Sequence, residues 1–118
     1  MEPLRVGIVG CGNISGIYFE NLSKYRSTEI VEVADLDMNR ARDASAKWNV
    51  PKAVSTEELL ASQDVELVLN LTVPKAHASV ALAAVEAGKH VYNEKPLTIE
   101  RSDARRLLDA ASARGVRV

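Results

Sequence analysis

The sequence has little cysteine, few aromatic residues and no excess of charge of either sign. It contains a single cysteine, Cys11, which cannot form a disulfide within the chain. Lys and Arg number 15 against 16 Asp and Glu, so the formal net charge is only -1. Such a balance provides no electrostatic pattern for binding nucleic acid or an anionic membrane. We therefore expect no nucleic-acid partner and no membrane partner.

Long hydrophobic runs are also missing. No apolar stretch approaches the roughly 20 residues that a membrane-spanning helix needs. The first five residues lack the basic segment and the apolar segment of a secretory signal. Together with the single cysteine, these features favour a cytoplasmic location. No cluster of metal-ligating residues stands out, and we expect no metal site.

What the sequence does contain is a regular alternation of apolar runs and helical patterns. The 118 residues suit one domain. Ile14, Tyr18, Leu22 and Tyr25 recur at helical spacing, and Ser55 with Glu58 has the spacing of a capping box. The predicted strands cover residues 4–9, 30–34, 52–54, 65–71 and 90–92, with a sixth beginning at 116–118. The predicted helices follow the first five strands.

Strands that alternate with helices predict βαβ units and a parallel sheet. Residues 65–71 are almost continuously apolar, as expected of a strand covered on both faces. Pro74 suits the first turn of the next helix, and Gly88 suits its end. The predicted fold is a doubly wound α/β fold of the Rossmann type, with a parallel sheet in a three-layer α/β/α arrangement.

A glycine-rich loop over residues 10–16 follows the first strand and opens the first helix. Gly10 would allow the tight turn, and Gly12 would let the backbone approach a pyrophosphate. The helix N-terminus would then bind phosphate charge through backbone N–H groups, near Asn13 and Ile14. The third position of the motif is Ser15 instead of glycine, which is small enough to keep helix and strand close. The alternative is a glycine-rich turn without a ligand.

An acid, Asp35, follows the second strand where dinucleotide-binding folds place a carboxylate. Such a carboxylate accepts hydrogen bonds from the adenosine ribose and repels a 2′-phosphate. This favours NAD, and NADP remains an alternative because Arg40 is close enough in sequence to meet a phosphate. Asp35 could otherwise be a turn residue, and Asp37 is the expected helix cap.

Two polar segments follow the strands that end beside this loop. One spans residues 70–77 and contains Thr72, Pro74 and His77, and the other spans residues 92–96 and contains Glu94 and Lys95. Ligands of open α/β sheets bind at the carboxyl ends of the strands, so both segments are candidates for cofactor contacts. For His77 the alternative is a first-turn helix residue that packs beneath the loop.

The combination of three motifs is more specific than the glycine loop alone. Residues 71–77 read Leu-Thr-Val-Pro-Lys-Ala-His, residues 83–91 read Ala-Ala-Val-Glu-Ala-Gly-Lys-His-Val, and residues 94–97 read Glu-Lys-Pro-Leu. In these motifs the chain resembles the Gfo/Idh/MocA oxidoreductases, and the resemblance covers essentially all 118 residues. The Thr-Val-Pro step over residues 72–74 departs from the Thr-Pro step that is more frequent in that family.

The resemblance implies roles for the segment after the fifth predicted strand. Glu94 and Lys95 would lie beside the nicotinamide and its ribose, and Lys95 would reach the substrate hydroxyl or carbonyl as the catalytic residue. It also implies a cis peptide between Lys95 and Pro96. An ammonium group at that place could stabilise a developing alkoxide or help to move its proton.

The function that follows is hydride transfer between a nicotinamide cofactor and a sugar, an inositol or a related polyol. Residues 1–118 would be the dinucleotide-binding domain, and the family's C-terminal substrate domain has no counterpart here, which suggests a truncated chain. The alternatives are a non-catalytic domain that binds or senses NAD, and a fold of this type that holds another ligand such as coenzyme A. The substrate and the oligomeric state are left open, with a homo-oligomer as one option.

Overall fold

Strands and helices alternate along the chain in the computed structural model, which describes residues 2–94 and 100–118. The strands are β1 (Leu4–Val9), β2 (Thr28–Ala34), β3 (Lys52–Val54), β4 (Leu67–Asn70) and β5 (His90–Asn93). The helices are α1 (Ser15–Lys24), α2 (Met38–Trp48), α3 (Thr56–Ala61), α4 (Pro74–Glu86) and α5 (Arg101–Arg114). This order confirms the alternation that the sequence predicts.

The strands form one parallel sheet in the order β3-β2-β1-β4-β5. Every neighbouring pair is parallel, so each connection crosses the sheet through a helix. The strand order reverses between β1 and β4, and a crevice opens there at the carboxyl ends of the strands. The predicted doubly wound fold is therefore confirmed.

The predicted sixth strand at residues 116–118 is wrong. The described sheet ends at β5, and only the carbonyl of Arg117 accepts a backbone hydrogen bond from β5, from the N–H of Val91 at 2.9 Å. The N–H of Arg117 donates to the Nδ1 atom of His90 at 3.0 Å instead of to a backbone carbonyl. A side chain thus replaces the second bond of a ladder, and these residues lie beside β5 without forming a strand.

Two apolar cores lie on opposite faces of the sheet, which gives the three predicted layers. One core packs residues of α3, α4 and α5, including Leu59, Val85 and Leu107, against the strands. The other packs α1 and α2 around Phe19, whose ring stacks on that of Trp48 with centroids 5.7 Å apart. Trp48 is therefore part of the apolar packing.

The predicted apolar stripe of α1 is displaced in the structure. Phe19 and Ser15 are the buried residues of the helix, whereas Ile14 and Tyr25 flank its ends and are about half exposed. The predicted stripe does not include Phe19, which follows Tyr18 directly in the sequence. Because one residue turns a helix by about 100°, the stripe centred on Phe19 faces the sheet and the predicted one lies at its margin.

Side chains at the helix ends follow the predicted caps. The Asp37 carboxylate accepts the N–H of Asn39 at 2.9 Å at the start of α2. At the start of α3, Ser55 accepts the N–H of Glu58 at 3.1 Å, and Glu58 accepts the N–H of Ser55 at 3.2 Å. This reciprocal pair is the capping box, and it satisfies two N–H groups that the helix leaves unpaired.

A buried polar cluster closes the amino-terminal end of the sheet. The Lys89 ammonium donates to the carbonyls of Ser62 and Val65, and the Ser62 hydroxyl donates to the Glu32 carboxylate at 2.6 Å. Burial lowers the pKa of Lys89, and the nearby Glu32 charge offsets part of that effect. The cluster fixes the turn between α3 and β4 at the end of the sheet opposite the crevice.

Among the described residues, no helix has both the length and the apolar character needed to cross a bilayer.

Candidate functional site

A groove of about 610 Å³ runs along the carboxyl ends of β1, β2 and β4. Its walls come from the loops that follow these strands, and they include Gly10, Gly12, Asp35, Thr72 and Val73. This is the crevice where the strand order reverses, so the fold itself produces the groove. The glycine loop, Asp35 and Thr72 come from three separate segments of the sequence, and the fold brings them together on one surface.

The two glycines at the start of the loop meet different constraints. Gly10 has a φ of 101°, and a Cβ atom there would lie 2.6 Å from the carbonyl oxygen of Leu71. The approach of the loop to the end of β4 therefore requires glycine. Gly12 is exposed, and a Cβ atom there would meet nothing within 4 Å. Space is left beside Gly12 on the groove.

The N-terminus of α1 follows directly. Ile14 is the N-cap residue, and its side chain makes no capping hydrogen bond. The Ser15 hydroxyl is buried and donates to the carbonyl of Gly12 at 2.6 Å, which holds the loop against the first turn. The serine at the third motif position therefore keeps the helix close, as predicted. Asn13 and Ile14 are exposed at the loop, where a ligand could reach them.

The Asp35 carboxylate is fixed between the glycine loop and the turn after β2. One oxygen, Oδ2, accepts the N–H of Cys11 at 2.7 Å, and the other, Oδ1, accepts the N–H of Asp37 at 2.8 Å. A carboxylate oxygen has two lone pairs, so each oxygen retains capacity for a further donor. Asp35 is half-buried and lines the groove. The alternative role of Asp35 as a turn residue is thus realised, and it leaves the carboxylate able to accept further hydrogen bonds.

Two apolar side chains stand on either side of the same groove. Leu36, after β2, is 97% exposed, and Val73, after β4, is 66% exposed. Both residues line the groove. Exposed apolar side chains that line the same groove offer apolar contact surface for a ring.

The Cys11 thiol is a packing group. Its Sγ atom lies 3.6 Å from the carbonyl oxygen of Ala34. Burial and, to a smaller extent, the negative charge of Asp35 raise the pKa of Cys11 to about 12. The thiolate is therefore scarce at neutral pH, and the residue is a poor nucleophile.

Thr72, Pro74 and His77 surround the start of α4. Thr72 lines the groove, and Pro74 occupies the first turn of α4 as predicted. His77 is only 1% exposed, so its ring lies beneath the loop and away from the groove. This position agrees with the packing alternative, and any role in cofactor binding would act through the loop above it.

Asn70, the last residue of β4, joins the loops on both sides of it. Its Nδ2 group donates to the carbonyl of His77 at 3.0 Å and to Oδ1 of Asn93 at 2.8 Å. Its Oδ1 atom accepts the Thr72 hydroxyl at 2.6 Å. Sequence reasoning did not single out this residue. The available signal was an amide in a strand that is otherwise almost continuously apolar.

Glu94 lies at the end of β5, where its N–H donates to the carbonyl of Asn70 at 3.1 Å. Its carboxylate accepts a hydrogen bond from the Tyr18 hydroxyl of α1. That bond is the main reason why the pKa of Tyr18 is raised to about 12. Tyr18 was predicted only as part of a helix stripe, so its link to Glu94 was missed. Lys95, and the predicted cis peptide between Lys95 and Pro96, lie outside the described residues.

Comparison with known proteins identifies the family of the chain. Residues 4–118 match the model of the Gfo/Idh/MocA family, which is described as an oxidoreductase family with an NAD-binding Rossmann fold. Inositol 2-dehydrogenase 3 of Saccharopolyspora erythraea is 38% identical over 98% of this chain and 34% of its own length. Trans-1,2-dihydrobenzene-1,2-diol dehydrogenase of Mus musculus is 37% identical over 96% of this chain and 35% of its own length.

Solved structures share the fold closely. KijD10, a 3-ketoreductase from Actinomadura kijaniata in complex with NADP and TDP-benzene, superposes with a TM-score of 0.91 at 34% identity, over 97% of this chain and 35% of its own. GenD2 from gentamicin A biosynthesis, in complex with NAD, gives a TM-score of 0.91 at 31% identity, over 98% of this chain and 33% of its own. The chain thus spans about a third of the length of the relatives it matches. It belongs to the Gfo/Idh/MocA oxidoreductase family, as a domain with that family's NAD-binding Rossmann fold.

Proposed function

We propose that this chain is the cofactor domain of an oxidoreductase that transfers a hydride between NAD and a sugar, an inositol or a related polyol. The observation that carries the proposal is the Asp35 carboxylate, held 2.7 Å from the N–H of Cys11 on the wall of the groove. It puts a fixed negative charge beside a glycine loop and an uncapped helix N-terminus. NAD needs these features for its ribose and its pyrophosphate.

In this proposal each part of the groove takes one part of the cofactor. The open space beside Gly12 and the N–H groups near Asn13 and Ile14 take the pyrophosphate. Asp35 accepts hydrogen bonds from the ribose of the adenosine. Leu36 and Val73 enclose the adenine ring from its two faces.

The nicotinamide half then lies towards the ends of β4 and β5. Thr72 and the backbone before Pro74 form one side, and Glu94 forms the other. His77 supports the first side from below through the turn that it buries. In a parallel sheet these two strand ends are neighbours, so one ring can contact both.

Lys95 is proposed as the catalytic residue, on the basis of the family resemblance. The bound nicotinamide supplies the hydride chemistry. The Lys95 ammonium would hold the substrate oxygen at its Nζ atom, stabilise the charge that develops there and carry the proton that leaves or arrives. Glu94 precedes it, and the hydrogen bond from Tyr18 fixes that carboxylate against α1.

The substrate class is proposed from the relatives and from the chemistry together. One relative is named as an inositol dehydrogenase, and a structural neighbour is named as a 3-ketoreductase that was bound to TDP-benzene. We propose that residues 1–118 act as the dinucleotide-binding domain and that a second domain supplies most substrate contacts. A homo-oligomer and a cytoplasmic location stay predictions.

The test is titration calorimetry of the 118-residue chain with NAD, NADH, NADP and NADPH. We expect binding of NAD and weaker binding of NADP, because Asp35 meets the 2′-phosphate with like charge. Asp35→Asn keeps a side-chain acceptor but removes the charge, and it should shift the preference towards NADP by about tenfold. Asp109→Asn, a neutralisation of an exposed acid on α5, is the matched control. The absence of heat with all four nucleotides, or tighter binding of NADP by the unaltered chain, would contradict the proposal.

A further inference from the structure

We propose that Asn70 is a positioning residue that sets the two loops on either side of the nicotinamide end of the groove. The inference rests on the proposed function, because it assigns the nicotinamide half to the ends of β4 and β5. It concerns a residue that contacts neither the solvent nor the groove, since Asn70 is 0% exposed. Its effect on a bound cofactor must therefore pass through the groups that it holds.

The Asn70 amide makes contact with both loops at once. Asn70 and Asn93 are register partners at the carboxyl ends of β4 and β5. The Nδ2 group of Asn70 donates to Oδ1 of Asn93 at 2.8 Å, and the N–H of Glu94 donates to the Asn70 carbonyl at 3.1 Å. These bonds fix Asn93, the last residue of β5, and Glu94, which follows it.

The other bonds of Asn70 fix the loop between β4 and α4. Its Oδ1 atom accepts the Thr72 hydroxyl at 2.6 Å, and its Nδ2 group donates to the His77 carbonyl at 3.0 Å. The hydroxyl holds the loop at its beginning, and the carbonyl holds it at the first turn of α4. Both hydrogens of Nδ2 and both lone pairs of Oδ1 have neighbours, since the N–H of Thr72 also lies 3.4 Å from Oδ1.

Burying these amide groups costs free energy, and their contribution to stability does not by itself explain their presence at this position. The position ends a strand whose two preceding residues, Val68 and Leu69, are buried and apolar. Asn93 accepts from Asn70 with its oxygen, and its own Nδ2 group is buried without a hydrogen-bond partner among the described residues. Buried polar groups are unfavourable unless their hydrogen bonds are made, and the side-chain bonds of Asn70 run to residues of the two strand ends and of α4. The paired amides position the two loops through directional hydrogen bonds, which an apolar pair of side chains could not provide.

The experiment separates the two halves of the cofactor. ADP-ribose carries the adenosine and the pyrophosphate but no nicotinamide, whereas the reduced nicotinamide of NADH is fluorescent and reports its own surroundings. Asn70→Asp keeps the size of the side chain but replaces the Nδ2 donor by an oxygen that faces two acceptors. We expect this variant to bind NADH about tenfold more weakly, equivalent to about 1.4 kcal/mol, and to lose the fluorescence enhancement of bound NADH. Its dissociation constant for ADP-ribose should stay within about twofold of that of the unaltered chain.

Two further variants keep the outcome decisive. Asn21→Asp introduces the same change on the exposed side of α1 and should alter neither ligand. Asn93→Ala removes the oxygen that accepts a hydrogen bond from Asn70, at a residue that the proposal does not place against the cofactor, so it tests the same network if Asn70→Asp fails to fold. It should weaken NADH binding and leave ADP-ribose binding unchanged.

Failure of the inference and failure of the proposed function give different results. If the unaltered chain does not bind ADP-ribose, the proposed function is wrong. If it binds ADP-ribose, but the variants lose NADH and ADP-ribose to the same extent, Asn70 is a structural residue only and the inference is overturned. Unchanged NADH fluorescence in a folded Asn70→Asp protein would overturn it as well.

Discussion

Gly10 and Gly12 stand two positions apart in one loop, yet substitution should affect different properties of the protein. Gly10→Ala would place a Cβ atom 2.6 Å from the Leu71 carbonyl oxygen in a backbone with φ of 101°. We expect it to lower the free energy of unfolding by at least about 2 kcal/mol. Gly12→Ala meets no protein atom within 4 Å, so it should change stability by less than about 0.5 kcal/mol.

The same pair separates folding from cofactor binding. Gly12→Ala should weaken NAD binding by more than about tenfold, because its methyl group occupies the space proposed for the pyrophosphate. Urea unfolding measures the stability of both variants, and calorimetry measures NAD binding by Gly12→Ala. Binding by Gly12→Ala at the level of the unaltered chain would show that the pyrophosphate does not approach this residue.

The Tyr18 hydroxyl gives the protein a defined response to alkaline pH. Its hydrogen bond to Glu94 raises the Tyr18 pKa from 10.0 to about 12 in the folded chain. The folded state therefore holds this proton more tightly than the unfolded state does. The stability that results is complete below pH 10 and is lost as the pH rises through about 12.

Tyr18→Phe removes this titration while keeping the ring in the packing of α1. We expect the free energy of unfolding to fall less steeply between pH 10 and pH 12 in the variant than in the unaltered chain. Urea unfolding at several pH values in that range measures the two slopes. Tyr25→Phe, at the exposed C-cap of α1, is the matched control. Equal slopes for Tyr18→Phe and the unaltered chain would contradict the predicted role of the hydroxyl.

Among the secondary-structure elements, α3 depends most clearly on its cap. It has only six residues, from Thr56 to Ala61, and so short a helix is marginal without tertiary or capping support. Ser55→Ala removes the acceptor for the N–H of Glu58 and should lower the free energy of unfolding by about 1 kcal/mol. Ser55→Asp retains an acceptor and should restore most of the loss. Urea unfolding tests both, and equal stability of the alanine and aspartate variants would argue against the capping bond.

The sequence predicts elements well where the signal is local. The capping box at Ser55, the cap at Asp37 and the start of α4 at Pro74 each depend on a few adjacent residues, and each is found as predicted. The sixth strand failed because its ladder depends on a neighbour, and there His90 takes the N–H of Arg117 with its side chain. Local pattern cannot foresee such a competition.

The candidate site divides in the same way. The glycine loop and Asp35 follow directly from motif spacing, and the structure brings them together on one groove. The bonds that join β4, β5 and α1 at the neighbouring strand ends were not predictable. Asn70 and Asn93 are 23 residues apart, and Tyr18 and Glu94 are 76 residues apart, so only the folded sheet makes them neighbours. Residue roles at Thr72 and Glu94 remain predictions.

In the molecule as a whole, the two ends of the sheet differ: the amino-terminal end holds a polar cluster, and the carboxyl-terminal end holds the candidate site. The buried Lys89 and Glu32 form a polar cluster with the half-buried Ser62 at the amino-terminal end. At the carboxyl-terminal end, the exposed Leu36 and Val73 border an open groove. The polar network around Asn70 joins β4, β5 and α4 beneath that groove. A cofactor could thus bind to a preformed surface with little change in the fold, as is usual for such sites.

The open groove also predicts that the 118-residue chain does not turn over substrate by itself. The described residues supply one wall, and a polyol above the nicotinamide would have nothing opposite to hold it. Hydride transfer requires the carbinol hydrogen to point at the ring, and an error of about 1 Å can cost about 100-fold in rate. A single ammonium such as Lys95 cannot orient a sugar that carries several hydroxyls. An open site also admits water, which weakens the electrostatic effect of that ammonium.

The measurement is the near-ultraviolet absorbance of NADH, followed with a panel of inositols and sugars. We expect no NADH production by the 118-residue chain, even at nucleotide concentrations that calorimetry shows to saturate it. The full-length inositol 2-dehydrogenase 3 of Saccharopolyspora erythraea, assayed with inositol, is the positive control.

A chimera that joins this chain to the remaining two thirds of that relative should gain activity, because the second wall is then present. Lys95→Ala in the chimera should abolish the activity while leaving NAD binding in place. Robust turnover by the 118-residue chain alone would show that one wall is enough.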